Sequence, residues 1–217
     1  MFDFDGLLMD TEGTMLASWQ HEWQQHGLSL DLRTLLPEHG GDQTQERYAA
    51  LAEAVGPGYD RRVSHARRVA FRNDLNAKLG LLPGIARWLD EAAAMRLRLA
   101  VASSSPRAWV SGLLTQAGYL DRFEALACGD DVTTGPKPDP AVYLLALRLL
   151  GLPAGAVLAV EDAPHGVVAA HAAGLRCVAI PGPLRDRASF AEADLVLGSA
   201  ADARLSDVLG SLSATAA

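Results

Sequence analysis

The first dozen residues, Met1-Phe2-Asp3-Phe4-Asp5-Gly6-Leu7-Leu8-Met9-Asp10-Thr11-Glu12, constrain the fold more than any other stretch. An aromatic residue precedes each of two carboxylates and glycine follows, which reads as the end of a buried strand running into a tight turn. Residues i and i+2 of a strand share a face, so Asp3 and Asp5 emerge together where the strand stops. Like charges that close either raise a pKa or recruit a cation, and a hard divalent ion such as magnesium suits carboxylate and carbonyl oxygens. One carboxylate can then attack an electrophile while its neighbour moves a proton. Gly6 permits the backbone dihedrals such a turn requires. Taken alone, Asp-x-Asp also fits a solvated acidic turn, so residues further along decide between the two.

The hydrophobic pattern after this stretch changes once. Residues 11–82 are helical throughout. A first helix over 11–26 carries Met15, Leu16, Trp19 and Trp23 at spacings of three and four and stops at Gly27. A second opens at Asp42, with Tyr48, Leu51, Ala52 and Val55 as its inner face. A third, over 60–79, is rich in arginine, which reads as a solvated face. From Pro83 onward, short apolar runs at 97–102, 123–128, 157–160, 177–180 and 195–197 alternate with helical segments at 84–95, 106–117, 139–150 and 164–173. A last helix is followed by a small, polar tail from Ser211. Strands apolar throughout, alternating with helices, indicate a parallel sheet covered on both faces. The fold class is therefore α/β: a Rossmann-like parallel sheet core of residues 1–10 and 83–217, with residues 11–82 inserted as an α-helical cap domain. Only Met1 and Phe2 precede Asp3, against about five residues in a typical strand. Either the chain begins inside its first strand or upstream residues lie outside this sequence.

Composition excludes several partner classes. The 217 residues are 49% hydrophobic and 21% charged, enough for a sizeable core, and the net charge of −7 disfavours nucleic acid and anionic lipid. Cys128 and Cys177 are far apart in apolar runs, without metal-ligand spacing, and read as reduced core residues of a cytoplasmic protein. No apolar run reaches the roughly eighteen residues of a membrane span, and the amino terminus lacks a basic-then-apolar secretory signal. A capped single domain of this size is expected to act as a monomer.

In parallel sheets ligands bind beyond the carboxyl ends of the strands, and four of these ends carry reactive groups. The first gives Asp3 and Asp5. The second gives Ser103-Ser104-Ser105, whose hydroxyls and backbone N–H groups can seat an anion such as phosphate, although Ser105 also fits a helix N-cap. After the third comes Gly135-Pro136-Lys137-Pro138-Asp139-Pro140. Asp139 and Pro140 fit a helix start. Lys137, fixed between prolines just before a helix N-terminus that does nothing for a cation, is better explained by a buried anion. The fourth gives Glu161-Asp162, which fit a complement to a helix dipole and, beside Asp3 and Asp5, also supply the remaining oxygen ligands that a magnesium ion needs. His165 lies nearest this cluster and reads as an exposed residue of a first helical turn.

This ordered set resembles the haloacid dehalogenase superfamily of phosphotransferases. Asp3-Phe4-Asp5-Gly6, Ser103, Lys137 within Lys-Pro-Asp-Pro, and Glu161-Asp162 match its four motifs. Gly6 to Glu12 and the helical insertion resemble the branch that includes β-phosphoglucomutase and small sugar-phosphate phosphatases. The resemblance implies that Asp3 attacks phosphorus and forms an aspartyl phosphate, while Asp5 protonates the leaving alcohol and then activates water. It implies Mg2+ held by Asp3, the Asp5 carbonyl, Asp162 and Glu161. Ser103, with Ser104 beside it, and Lys137 would hold phosphoryl oxygens, and the helical insertion would act as a lid.

Two departures from that branch bear on the reaction. Met15 stands where the mutases carry a cap histidine, which favours a hydrolase over the alternative, a β-phosphoglucomutase-type phosphomutase. Ala163 replaces the serine usual after Glu-Asp, removing a hydroxyl near the metal ligands. The expected substrate is a small phosphorylated metabolite, a sugar phosphate above all. Cap residues facing the site would select it, with Gly40-Gly41-Asp42-Gln43 and the arginine-rich third helix as candidates only, beside the reading of those arginines as a solvated face.

Overall fold

The computed structural model describes residues 1–32 and 43–214. The chain divides into two compact units, Met1–Asp10 with Gly80–Ala217, and Thr11–Leu79.

In the first unit five short parallel strands, β1 (Ala100–Ala102), β2 (Ala125–Ala127), β3 (Leu158–Glu161), β4 (Arg176–Ala179) and β5 (Leu195–Val196), flank the amino-terminal segment. Phe2 bridges Val101 of β1 on one side and Val160 of β3 on the other, so the order across the sheet is β2, β1, amino-terminal segment, β3, β4, β5. The segment is locked by Phe2 N–H to Ala100 O and Ala102 N–H to Phe2 O, both 2.9 Å. On its other edge, Asp3 N–H donates to Val160 O at 2.9 Å and Val160 N–H to Met1 O at 3.0 Å. Aspartates just past a central strand are thereby fixed by ladders on both sides. The turn that follows needs Gly6 at φ 79°, and Gly6 N–H donates to Met9 O.

Helices α4 (Ile85–Ala94), α5 (Arg107–Gln116), α6 (Ala141–Leu150), α7 (Pro164–Ala172) and α8 (Leu205–Ala214) follow the order the sequence pattern predicts. In α6 the buried residues Val142, Tyr143, Ala146, Leu147 and Leu150 recur at helical spacing and pack on Ala100, Ala125 and Ala159 of the strands. Small strand residues let the helices lie close to the sheet. Ser211, expected to begin a polar tail, lies within α8, because Leu205, Val208 and Leu212 give that segment an inward face. Gly80–Leu82 belong with the α/β unit: Leu82 N–H donates to Leu8 O at 2.8 Å and Met9 pairs with Leu81. Both cysteines are buried and free, and burial pushes the Cys128 thiol up to about 11.

The second unit contains α1 (Thr11–Gln25), α2 (Thr44–Val55) and α3 (Arg61–Asn76). Leu16, Trp19, Tyr48 and Leu51 form its core, with Met15 and Trp23 partly buried against it. The expected opening of α2 at Asp42, like Gly40 and Gly41, lies outside the described residues. Gln43 makes no side-chain cap bond. Helix α3 ends three residues before the expected stop, since Leu79 N–H has turned to Asn76 O and Lys78 N–H to Leu75 O. Its arginines are not uniformly a solvated face. Arg68 is buried, with Nε donating to Tyr48 OH at 2.7 Å, Nη1 to Ser18 Oγ at 3.2 Å, and its guanidinium 4.4 Å from the Trp19 ring centre. Arg67 forks onto the buried Glu22 at 2.8 and 2.6 Å.

Candidate active site

Lys137 is the hub of the strand ends. Its ammonium is buried and donates three hydrogen bonds: to Ala102 O at 2.8 Å, to Glu161 Oε1 at 2.6 Å, and to Asp3 Oδ1. Its backbone N–H donates to Ser104 Oγ at 3.1 Å, tying the loop after β2 to the loop after β1. Tyr143 of α6 donates its hydroxyl to Glu161 Oε1 and sets its ring 4.8 Å from the ammonium. Every donor of the cation is therefore satisfied.

Asp3, Glu161 and Asp162 are all buried, and one carboxylate oxygen of each lies within 4.8 Å of the others. With all three carboxyl groups ionised, the single ammonium would leave an excess of negative charge, which is costly in a low-dielectric interior. Arg185, in the loop after β4, contributes at longer range, with Nε 3.9 Å from Asp162 Oδ2. An all-oxygen, anionic donor set of this size fits a hard divalent cation. A second cluster, Cys128 with Asp130 and Asp131, differs in that its acids are exposed and engaged. Arg107 Nη2 pairs with Asp131 at 2.6 Å, and Asp130 accepts the Arg107 backbone N–H at 2.8 Å.

Burial pushes the Asp3 carboxyl up to about 8. Lys137 pulls it down, and the charges of Glu161 and Asp5 add to the rise. For Lys137 burial works against the ammonium, but Asp3 and Glu161 outweigh it and hold the group above its usual range. Lys137 is accordingly a permanent cation here.

Asp5 points elsewhere. Its Oδ2 accepts from Ser105 Oγ at 2.5 Å and its Oδ1 from Trp109 Nε1 at 2.9 Å. Ser103 is buried and its Oγ accepts the Ser105 backbone N–H at 3.0 Å. The serine run is thus divided in three directions: Ser103 into its own turn, Ser104 to Lys137, Ser105 to Asp5. Ser105 is not the N-cap of α5; Pro106 holds that position, without a side-chain bond. His165 is half-buried, not exposed.

Four site residues escaped the sequence pattern. Tyr143 could have been found from the helical phase of α6, which aims it at the sheet beside Val142 and Ala146. Trp109 and Arg185 carry no such signal. Gly166 is explained only by packing: a Cβ there would sit 2.1 Å from Glu161 Cδ, so the first turn of α7 must lack a side chain for that carboxylate to fit.

Comparison with known proteins places these observations in a class. Residues 1–180 match the model of the haloacid dehalogenase-like hydrolases. Protein CbbY of Rhodobacter capsulatus is 38% identical over 209 residues, covering 89% of each chain. Hexitol phosphatase B of Escherichia coli (strain K12) is 29% identical over 216 residues, covering 97% of this chain and 96% of its own. Among solved structures, a HAD family hydrolase from Deinococcus radiodurans R1, with bound phosphate and sodium, superposes with a TM-score of 0.83 at 26% identity, over 97% of this chain and 95% of that one. The chain belongs to the haloacid dehalogenase-like hydrolases. Within them it is a hydrolase of the phosphatase kind. No helix among the described residues is long and apolar enough to cross a membrane.

Proposed function

We propose that this chain is a magnesium-dependent phosphatase that hydrolyses a small phosphorylated metabolite, a sugar phosphate, through an aspartyl phosphate on Asp3. The observation that carries the reading is the buried Lys137 ammonium bonded to both Asp3 and Glu161, with Asp162 close enough to share one ion with them. Asp3, Glu161 and Asp162 would hold the cation, with the Asp5 carbonyl as a further ligand. Bound there, magnesium supplies charge neutralisation for the phosphoryl group.

The chain's own residues do the rest. An Asp3 oxygen forms a bond to phosphorus as the bond from phosphorus to the ester oxygen breaks, and the departing oxygen takes a proton from Asp5. Water then attacks phosphorus and gives a proton to Asp5. The bond to Asp3 breaks, freeing inorganic phosphate and restoring both carboxyl groups. Ser103 and Ser104 would steady phosphoryl oxygens, while Lys137 offsets the Asp3 charge and would reach a phosphoryl oxygen by exchanging one of its three present hydrogen bonds. The name of hexitol phosphatase B, a relative over nearly the whole chain, supports a phosphorylated polyol or sugar as the substrate class. Met15 supports hydrolysis over isomerisation: its thioether sulfur accepts from Arg47 Nη1 at 3.5 Å and offers no proton-transfer group. The helical unit, as a lid, would select the substrate.

The test is phosphate release from a panel of hexose, pentose and hexitol phosphates, with magnesium and with a chelator. Wild type is expected to turn over at least one of these and to stop when chelated. Asp3→Asn is expected to lose activity by a factor on the order of 10⁴ or more. Unchanged turnover in Asp3→Asn would remove the nucleophile assignment, and turnover indifferent to chelation would remove the metal.

A further inference from the structure

The carboxylate assigned to proton transfer is gripped by two side chains that the four-motif pattern does not contain. Ser105 Oγ and Trp109 Nε1 take one Asp5 oxygen each. Two donors on two different oxygens fix both the direction of the side chain and the plane of its carboxylate, which a single bond leaves free to swivel. Both donors come from one braced piece of structure. Ser105 N–H donates to Ser103 Oγ at 3.0 Å, and Ser105 O accepts from Gly129 N–H at 2.9 Å. Trp109 lies in the first turn of α5, its N–H on Pro106 O at 3.0 Å, and its indole has only two side-chain torsions to settle. Asp5 itself follows a segment bonded on both edges to the sheet. Its carboxylate is thus held between two rigid supports.

We propose that Ser105 and Trp109 are positioning residues: they set the direction from which Asp5 delivers a proton to the departing ester oxygen. The inference rests on the assignment of Asp5 as the proton-transfer group. It differs from a merely structural role in one respect. An alkoxide leaves phosphorus poorly without a proton, whereas p-nitrophenolate is stable as an anion at neutral pH and leaves without one. A misaimed Asp5 therefore penalises the sugar phosphate and spares p-nitrophenyl phosphate in kcat/KM, which reports the steps up to departure of the alcohol. Damage to the fold or to the Asp3 and Lys137 cluster penalises both esters alike.

The experiment compares kcat/KM for p-nitrophenyl phosphate and for the most rapidly hydrolysed sugar phosphate of the panel, in magnesium-loaded protein of verified Tm. Trp109→Phe keeps an aromatic ring and loses the N–H; Ser105→Ala loses the hydroxyl; Ser105→Thr keeps it. For the sugar phosphate, Trp109→Phe and Ser105→Ala are expected to fall by about tenfold to a hundredfold. For p-nitrophenyl phosphate they should stay within about threefold of wild type, and Ser105→Thr should recover most of the sugar-phosphate rate. Equal losses on the two esters, or no loss on either, would overturn the proposal. Asp5→Asn serves as the benchmark. If it shows no preference between the esters, the assignment of Asp5 has failed, which is distinct from Asp5→Asn discriminating while the Ser105 and Trp109 variants do not.

Discussion

Among the described residues two cationic side chains are buried, one in each unit, and they are housed in opposite ways. In the α/β unit Lys137 sits among carboxylates, with Asp3 and Glu161 bonded to it and Asp162 beside them. In the helical unit Arg68 is held by neutral groups: the Tyr48 and Ser18 hydroxyls and the ring faces of Trp19 and Tyr48. Glu22 nearby is matched to Arg67 and His26. Around Arg68 and Glu22 the polar groups of the helical unit pair with one another and tie its three helices together. Those at the strand ends set three buried carboxyl groups around one ammonium, which raises the Asp3 carboxyl and leaves a cluster that a bound cation would relieve. The contrast separates a polar network that specifies a fold from one poised for chemistry.

The largest test of this contrast is Lys137→Met. It leaves buried acids without their ammonium and is expected to cost about 3–5 kcal/mol in stability. Activity should fall by about a hundredfold or more. Magnesium should raise the Tm of the variant more than that of wild type, since the ion then stands in for the lost ammonium. Thermal melts with and without magnesium check this. A variant as stable as its parent, with a Tm that magnesium raises no further than the parent's, would mean that the strand-end cluster is not charge-strained.

A smaller effect is expected from Gly166→Ala. The added methyl meets the Glu161 carboxylate, so that side chain or the first turn of α7 must shift, at the expense of the bonds Glu161 makes with Lys137 and Tyr143. The expected outcome is about 1–3 kcal/mol of lost stability, with phosphate release reduced further than stability alone explains. A fully active Gly166→Ala protein would show that Glu161 need not hold its position.

The smallest effect lies in the helical unit. Burial raises the Glu22 carboxyl, but the bonds from Arg67, Ser64 and His26 prevail and hold it below its ordinary 4.5. A depressed carboxyl adds stability that is present above the unfolded value and is lost as pH falls through the folded one. Glu22→Gln should therefore cost about 1–2 kcal/mol at neutral pH, because Arg67 remains partly exposed. The difference from wild type should shrink towards zero in Tm measurements carried down through the acid range. A gap that stayed constant with pH would assign the role of Glu22 to shape and not to charge.

Much of the site was legible because its chemistry sits at strand ends in chain order. Asp3, Lys137, Glu161 and Asp162 could be placed in one cluster from the alternation of apolar runs and helical segments. A lysine between prolines before a helix start already asked for an anion. Ser105 shows where such reading stops: as the residue before a proline it passes for a cap, and only the fold turns it to a carboxylate one hundred positions away. The same holds for Arg68, one of several arginines on α3, which burial singles out.

The sequence alone determined the parallel α/β core, the helical insertion and the identity of the acids and the lysine, because apolar periodicity and turn residues act over neighbouring positions. Tertiary structure decided which donor serves which acceptor. Tyr143 binds Glu161, Trp109 and Ser105 bind Asp5, and Gly166 makes room for a carboxylate. Those pairings depend on side-chain direction and on distances of a few ångströms between distant segments, which local pattern does not encode.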